Sequence, residues 1–255
     1  MKLALVTGGF RRLGAAIAGR LASEGWTLAL HCRDKAEPQA DLAALLAVHG
    51  TDWHVFAADL EQAEALELLL PAIAGHFGEV PSLIVNCASR FVYDDVESLN
   101  WDELAAHHSV NVAAPVLLAR ALYQAGGGCV INITDQRVRH PNRDQLSYTL
   151  SKQALAAATA TLARVLAPKV RVNAVAPGLT LPTDAYLPRQ MVELEAMMPL
   201  QRLPEPEQIA DAVLFFATAE SVTGQTIYVD GGAALISFER DFVFLGSAGT
   251  DQDRR

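Results

Sequence analysis

Hydrophobic residues follow two alternating spacings along this chain. Short apolar runs, typical of buried β-strands, alternate with longer segments in which apolar residues recur every three or four positions, as in α-helices. The runs predict seven strands: Leu3–Val6, Trp26–Leu30, Trp53–Ala57, Leu83–Val85, Cys129–Ile133, Val170–Val175 and Thr226–Val229. The periodic segments predict six helices: Leu13–Ser23, Asp41–His49, Glu61–Phe77, Trp101–Gln124, Tyr148–Leu166 and Glu207–Thr218.

This alternation predicts an α/β fold, a single doubly wound domain with a seven-stranded parallel sheet and helices on both faces. Residues 1–255 contain no linker or repeat, so one domain is expected to bind the ligand and carry the catalytic residues. Two segments lack a clear period. Pro177–Gln190 is long enough to be a functional or a disordered loop. The tail, residues 233–255, begins apolar and ends polar, which predicts a packed segment or subunit contact followed by a frayed end.

Composition narrows the classes of partner. The net charge is −9, which argues against binding to nucleic acid or to an anionic membrane surface, and no apolar run is long enough to span a bilayer. The three cysteines have no CxxC spacing, and the seven histidines have no metal-ligand spacing. We therefore expect a cytoplasmic protein with buried free thiols, no metal and a small-molecule substrate.

The first strand runs into a glycine-rich turn, TGGFRRLG, which leads into the first helix. Gly8 and Gly9 allow a tight turn, and Gly14 allows the helix to pack closely on the sheet. The N–H groups at the start of that helix would then face a pyrophosphate. Arg11, Arg12 and Leu13 complete this predicted dinucleotide-binding turn.

The end of the second strand indicates which dinucleotide binds. An NAD site usually has an acidic residue there, which bonds the ribose 2′-hydroxyl. This chain has His31 and Arg33 instead, and Asp34 lies beyond them. With Arg11 and Arg12, these basic side chains suit a 2′-phosphate, so we predict NADP(H) as the cofactor. Alternatively, the arginines are solvated surface charges.

Three polar residues mark a candidate catalytic centre. Tyr148 and Lys152 are four residues apart and so lie on one face of a helix. The ammonium is expected to lower the pKa of the phenol and make it a usable proton donor. Asp135 ends the apolar run INITD thirteen residues earlier. Its carboxylate is expected to face the Tyr148–Lys152 pair.

Together, TGGFRRLG, NCAS, VNVAAP, YTLSK, VNAVAPG and GQTIYVDGG resemble the short-chain dehydrogenase/reductase family, whose fold is Rossmann-like. The resemblance implies that Asn111, Tyr148 and Lys152 are catalytic, and that Asn111 holds a water on the proton path. It also implies that Lys152 binds the nicotinamide ribose. Further cofactor contacts are implied at Asp59, Leu60, Asn86, Ala88, Thr134, Pro177 and Gly178.

Three departures from the family pattern point to one branch. Arg12 replaces a glycine, Cys87-Ala88-Ser89 replaces the usual NAG, and Asp135 replaces the catalytic serine. All three resemble the pteridine reductases. That resemblance implies that Phe91 stacks a pterin against the nicotinamide, and that Ser89 and Arg12 bond the ring's polar edge and the phosphates. Phe91 could instead be a core residue.

The replacement of serine by Asp135 has a chemical consequence. An ionised aspartate accepts hydrogen bonds but cannot donate one to a carbonyl oxygen. A C=N bond, whose nitrogen takes a proton, suits it better, with Asp135 and Tyr148 relaying that proton. Arg137, Arg139 and Arg143 could meet an acidic tail on the substrate, or could be solvated.

The leading hypothesis is an NADPH-dependent reductase of a pterin or folate-like C=N bond. A carbonyl reductase of the same family is the first alternative and requires a protonated Asp135. A catalytically silent NADP(H)-binding regulatory protein is the second, although a silent site would not need Asn111, Tyr148 and Lys152 together. The family resemblance also implies a homotetramer that packs through the helices after the fourth and fifth strands and through the last strand.

Overall fold

Seven strands form one parallel sheet in this computed structural model, which describes residues 2–34, 37–182 and 186–246. Their order in the sheet is β3-β2-β1-β4-β5-β6-β7. The strands are β1 (Leu3–Thr7), β2 (Thr27–Cys32), β3 (Trp53–Ala57), β4 (Leu83–Asn86), β5 (Gly128–Ile133), β6 (Val170–Pro177) and β7 (Thr226–Val229). The chain moves outward from β1 to β3 and then returns to the centre, where β4 pairs with the free side of β1. The predicted doubly wound α/β fold is confirmed.

The helices cover both faces of this sheet. They are α1 (Arg12–Ser23), α2 (Ala40–Val48), α3 (Ala63–Phe77), α4 (Trp101–His108), α5 (Ala114–Gln124), α6 (Leu146–Val165), α7 (Pro188–Met197) and α8 (Pro206–Thr218). Helices α1, α2 and α8 pack on one face, and α3, α5 and α6 pack on the other. A hydrophobic core lies on each face of the sheet. Because neighbouring side chains of a strand point to opposite faces, β1 contributes residues to both cores. Ala4 and Val6 join the first core, and Leu3 and Leu5 join the second.

Several predicted element ends are explained by local contacts. Asn100 caps α4, since its side chain accepts a hydrogen bond from the backbone N–H of Glu103 at 3.0 Å. Gly25 ends the first helical segment with a φ of +76°, in the left-handed region that glycine enters without a Cβ clash. The predicted helix Trp101–Gln124 is helical throughout but contains a π-helical turn at Ser109–Ala113, between α4 and α5. Such turns often occur at functional sites.

The prediction for Pro177–Gln190 as one loop was incomplete. Helix α7 begins inside it, at Pro188, and continues to Met197. Pro188 is a good first helical residue because its fixed φ suits the helix and its missing N–H would be unpaired there anyway. Only one apolar side chain within this helix, Leu194, is fully buried, so its hydrophobic period was weak. Residues 183–185 of the predicted loop lie outside the described residues.

The beginning of the tail packs against the domain, as one of the predicted alternatives required. Ala233 and Phe242 are buried with Leu194 and Met198 in a small core beside α7. The predicted frayed end, residues 247–255, lies outside the described residues. Over the described ranges, no helix is long and apolar enough to cross a bilayer.

Candidate active site

The predicted catalytic trio meets at the carboxyl end of the sheet. Asp135 lies two residues beyond β5, and its Oδ2 accepts a hydrogen bond from the Tyr148 hydroxyl at 2.9 Å. Tyr148 is buried in the first turn of α6. One turn later, Lys152 donates from Nζ to the backbone oxygen of Ile133 at 2.8 Å, and Nζ lies 5.6 Å from the Tyr148 ring centre. The structure therefore brings Asp135, Tyr148 and Lys152 together.

The protonation of this trio differs from the expectation. Burial raises the pKa of Tyr148 well above its usual value of 10, and the charge on Asp135 raises it further, whereas Arg137 opposes the rise. Burial also lowers the pKa of Lys152 to about 8. The expectation that Lys152 would lower the pKa of the phenol was therefore wrong for this arrangement, because desolvation and a neighbouring anion dominate. Tyr148 holds its proton at neutral pH.

A buried arginine that was expected at the mouth instead belongs to this centre. The Arg137 guanidinium is almost fully buried, and both its Nε, at 3.2 Å, and its backbone N–H, at 2.9 Å, donate to Asp135 Oδ1. Its Cζ lies 5.0 Å from the centre of the Tyr148 ring. Expectations of solvation or of an acidic substrate tail were thus wrong for Arg137. Arg139 and Arg143 are exposed.

Asn111 occupies the π-helical turn, and its buried amide is fully bonded to protein. Its Nδ2 donates to the backbone oxygen of Arg90 at 3.0 Å and to Ser151 Oγ at 2.9 Å. Its Oδ1 accepts from the backbone N–H of Arg90 at 2.8 Å and from Ser89 Oγ at 3.2 Å. The side chain therefore ties the loop after β4 to α6, which leaves its amide no spare donor for a water. Its catalytic role stays a prediction.

The loop after β4 also places an aromatic ring at the centre. Phe91 is 53% exposed, so it is not a core residue. Its ring centre is 4.6 Å from that of Tyr148, with the ring planes at 90°. About half of the ring surface therefore stays accessible beside Tyr148, and an exposed phenyl ring can stack on a flat ligand. Ser89, two residues earlier, also bonds the Arg90 backbone oxygen at 3.3 Å.

The glycine-rich turn is shaped by close backbone contacts. Gly8 has a φ of +65°, and a Cβ on Gly14 would lie 2.1 Å from the Gly8 backbone oxygen. Arg12 takes a φ of +54°, which is uncommon for a residue with a side chain, at the position where glycine was expected. Its Nη2 donates to the backbone oxygen of Leu181 at 3.2 Å. The side chain of Arg11, which precedes α1, does not cap the helix, but Gln39 Oε1 accepts from the backbone N–H of Arg12 at 2.7 Å. The next N–H groups of the first turn can still face an anion.

The basic side chains near this turn differ in environment. His31 is buried between the Gly8 N–H, 3.3 Å from its Nδ1, and the Ala58 backbone oxygen, 2.9 Å from its Nε2. Burial lowers the pKa of His31, so the ring is neutral at pH 7 and supports the turn. Arg11 is exposed, and so is Arg33, which pairs with Asp34 at 3.3 Å.

Comparison with known proteins places this arrangement in a family. The profile of a family described as enoyl-(acyl carrier protein) reductase matches residues 10–234. Human (3R)-3-hydroxyacyl-CoA dehydrogenase is 34% identical over 251 residues, which cover 90% of this chain and 94% of that protein. The solved structure of FolM alternative dihydrofolate reductase 1 from Brucella canis, complexed with NADP, is 40% identical, with a TM-score of 0.86. The alignment covers 94% of this chain and 96% of that one.

The chain belongs to the short-chain dehydrogenase/reductase family. It is an oxidoreductase of that family, and the sequence-based family assignment is confirmed. A second structural relative, the FolM protein from Brucella suis in complex with NADP, is 39% identical over 94% of this chain and 98% of that one, with a TM-score of 0.83.

The remaining family positions lie around the nucleotide end of the sheet. Asn86 donates to Asn132 Oδ1 at 2.8 Å, and its own buried Oδ1 has no hydrogen-bond partner among the described residues. Such an unpaired acceptor fits a ligand that supplies a donor. The positions that adjoin this edge are Asp59 and Leu60 after β3, Ala88 after β4, Thr134 after β5, and Pro177 and Gly178 at the end of β6.

Cys87 and Ala88 are held by the first strand, because both their backbone N–H groups donate to Thr7 Oγ1 at 3.0 Å. Burial raises the pKa of the Cys87 thiol to about 11, so it is neutral. Within the described parts of the chain, no group of three or more histidine, cysteine or acidic side chains could hold a metal ion.

Proposed function

We propose that this protein is an NADPH-dependent reductase of a C=N bond in a pterin or folate-like substrate. One observation carries the proposal: Asp135, in the place of the family's serine, is held as an ion pair with Arg137 while its other oxygen faces Tyr148. Asp135 Oδ1 faces two N–H donors, and only an ionised carboxylate gains from the guanidinium beside it.

An ionised Asp135 selects the kind of group that binds next to Tyr148. A carboxylate repels a carbonyl oxygen, which also only accepts hydrogen bonds, but it attracts N–H donors. A pterin ring presents an amino group and ring N–H groups on one edge and a C=N bond on the other ring. The half-exposed ring of Phe91 offers this flat heterocycle a surface for stacking, and the family resemblance implies that Ser89 and Arg12 bond its polar edge.

Tyr148 is the proton donor in this proposal. Its raised pKa keeps the phenol protonated, and its O–H already points to an acceptor, Asp135. A substrate nitrogen that becomes more basic during the reaction would take this proton, and Asp135 would help to return one from solvent. When bound, reduced nicotinamide supplies the hydride to the adjacent carbon. Lys152, buried beside Tyr148, would bind the nicotinamide ribose.

NADP(H) fits the nucleotide end better than NAD(H). Arg11, Arg12 and Arg33 are exposed cations near the start of α1, and a 2′-phosphate needs such partners. The buried, neutral His31 is proposed to support the turn rather than to supply charge. The two Brucella proteins described above were crystallised with NADP, which supports the same choice. Asp59, Leu60, Asn86, Ala88, Thr134, Pro177 and Gly178 complete the proposed cofactor site, as the family resemblance implies.

Carbonyl reduction is the second candidate. It is favoured by the 34% identity to a hydroxyacyl-CoA dehydrogenase, but the 40% identity to a dihydrofolate reductase favours the first. Carbonyl reduction would need a protonated Asp135 that donates a hydrogen bond. The guanidinium of Arg137, 3.2 Å from that carboxylate, opposes this.

The test is NADPH oxidation, followed at 340 nm, with dihydrobiopterin or dihydrofolate in one series and simple ketones and a 3-oxoacyl thioester in the other. We expect turnover in the first series only, and none by Tyr148→Phe, the matched control. Turnover confined to ketones or thioesters would contradict the proposal. Tight NADPH binding without turnover in either series would favour the silent regulatory protein.

We further propose that the protein is a cytoplasmic homotetramer. Large apolar side chains are exposed on the helices expected at the interfaces, with Trp101 on α4 80% exposed and Leu150 on α6 50% exposed. Burial of such side chains between subunits would be favourable. Light scattering after size-exclusion chromatography should give four times the mass of one chain, and a monomer or dimer would contradict this.

A further inference from the structure

The C-terminal segment, defined here as residues 237–246, reaches the catalytic centre through one buried aspartate. Asp241 precedes the 3₁₀ turn Phe242–Phe244, and its Oδ1 accepts from the Val243 backbone N–H at 3.1 Å. Its Oδ2 lies 2.7 Å from Arg137 Nη2. Both side chains of this ion pair are almost fully buried, so water screens their attraction only weakly.

Arg137 contacts three side chains, two near it in the sequence and one, that of Asp241, 104 residues away. Nε donates to Asp135 Oδ1 at 3.2 Å, Nη1 to Gln145 Oε1 at 2.6 Å, and Nη2 to Asp241 Oδ2 at 2.7 Å. A planar guanidinium bonded at all three of its nitrogens cannot rotate without breaking one of these bonds. Asp241 and Gln145 therefore fix the plane that Arg137 presents to Asp135.

In this arrangement the two carboxylate oxygens of Asp135 have different partners. Oδ1 is occupied by the Nε and the backbone N–H of Arg137, which leaves Oδ2 directed at Tyr148. We propose that Asp241 is a positioning residue, which acts through Arg137 to hold Asp135 Oδ2 toward Tyr148 and the substrate. This inference rests on the proposed function, in which that oxygen receives the substrate's N–H groups.

The segment is held in place by contacts that do not involve Asp135. Asp144 Oδ2 accepts from the Asp241 backbone N–H at 2.7 Å. Gln190 of α7 donates from its buried Nε2 to three backbone oxygens of the segment, those of Phe242, Val243 and Leu245. The Asp241 carboxylate is thus set in position independently of the catalytic residues, as a positioning group must be.

The kinetic test uses Asp241→Asn in the full-length protein, with Arg137→Lys as a second variant, because lysine keeps the charge but cannot form the three-way contact. We expect kcat to fall by about 10- to 100-fold, as for other residues that orient a catalytic group. The KM for NADPH should change less than about twofold, since the nucleotide end is untouched. Asp241→Glu, which keeps the carboxylate, should recover part of the loss.

Arg240→Gln is the matched control. This substitution removes the mostly buried ion pair between Arg240 and Asp144, which lies in the same segment. The bonds described above between Arg137, Asp135 and Asp241 do not include Arg240. We expect a lower melting temperature and an unchanged kcat. If Asp241→Asn also lowers the melting temperature but leaves kcat and its pH profile as in the wild type, Asp241 is only structural and the inference is overturned. An equal loss of kcat in both variants would overturn it too.

A second measurement needs no substrate and separates this inference from the proposed function. In a double-mutant cycle with Asp135→Asn and Asp241→Asn, urea unfolding should show a non-additive loss, because the double variant leaves Arg137 buried without a carboxylate. We expect a coupling of at least about threefold in the unfolding equilibrium constant. If the two substitutions are coupled in unfolding but the wild type does not turn over pterins, the proposed function is contradicted and the inference is not. If their losses of stability are additive, the inference is contradicted and the proposed function is not.

Discussion

Lys152 should destabilise the fold that contains it. Burial lowers the pKa of its ammonium from the ordinary value of 10.5 to about 8. At pH 7 the folded protein therefore holds a charge that costs about 3 kcal/mol relative to its charge in the unfolded chain. Above pH 8 the folded state loses this proton while the unfolded chain keeps it until about pH 10.5. The cost consequently falls to about 1 kcal/mol at pH 10.

Lys152→Met should make this cost visible. Methionine has a similar length and suits a buried site, but it loses the hydrogen bond to the Ile133 backbone oxygen, worth about 1 kcal/mol. The variant should therefore be more stable than the wild type by about 2 kcal/mol at pH 7 and nearly equal to it at pH 10. It should also lose turnover. Urea unfolding at the two pH values gives both differences.

An exposed lysine provides the control. Lys169 lies on the surface with its Nζ 4.8 Å from the Tyr123 ring centre, so Lys169→Met should change stability by less than about 0.5 kcal/mol at either pH. If Lys152→Met were less stable than the wild type at pH 7, or if its advantage were the same at pH 10, the assignment of a buried ammonium with a lowered pKa would be wrong.

The other predictions concern the chemistry and the nucleotide end. Tyr148→Phe should lower kcat by at least about 1000-fold while the Kd for NADPH, measured by its fluorescence, changes little; retained turnover would exclude Tyr148 as the acid. Arg33→Ala should weaken NADPH at least about tenfold and NADH hardly at all, and an equal loss for both would remove the 2′-phosphate argument. Gly14→Ala should lower the melting temperature and weaken NADPH at least about tenfold, because the new Cβ would lie 2.1 Å from the Gly8 oxygen. Wild-type affinity and stability would show that the turn can open.

Strands were predictable because each is short, apolar and separated from the next by a helix of clear period. The parallel sheet followed from this alternation, but the order of its strands was not predicted, because the crossover rule fixes the handedness of a connection and not which strands are neighbours. Helix α7 was missed because its apolar contacts are made with Phe242 of the tail and other residues outside the sheet, which weakens the period along the helix itself. The π-helical turn was also missed, since no local sequence pattern separates it from an ordinary helix.

The proximity of Asp135, Tyr148 and Lys152 was predictable for a different reason. Tyr148 and Lys152 are four residues apart, and strand ends of a parallel sheet meet at one edge, so Asp135 had to lie close to both. The role of Arg137 was not predictable, because its burial depends on Asp241, more than a hundred residues later. The pKa of Tyr148 was wrongly predicted for the same reason: the burial and the anion that raise it are tertiary effects. An arginine two residues after the aspartate was the only local signal.

The central claim is that Asp135 directs this site toward C=N bonds, and a single ratio tests it. The kcat/KM for dihydrobiopterin should be divided by that for a small ketone in the wild type and in Asp135→Ser, which restores the hydrogen-bond donor found at this position in the family. We predict a wild-type ratio above about 100 and a fall of at least about tenfold in the variant, equal to a change of about 1.4 kcal/mol in relative transition-state binding. A wild type that prefers the ketone, or a ratio unchanged in Asp135→Ser, would contradict the claim.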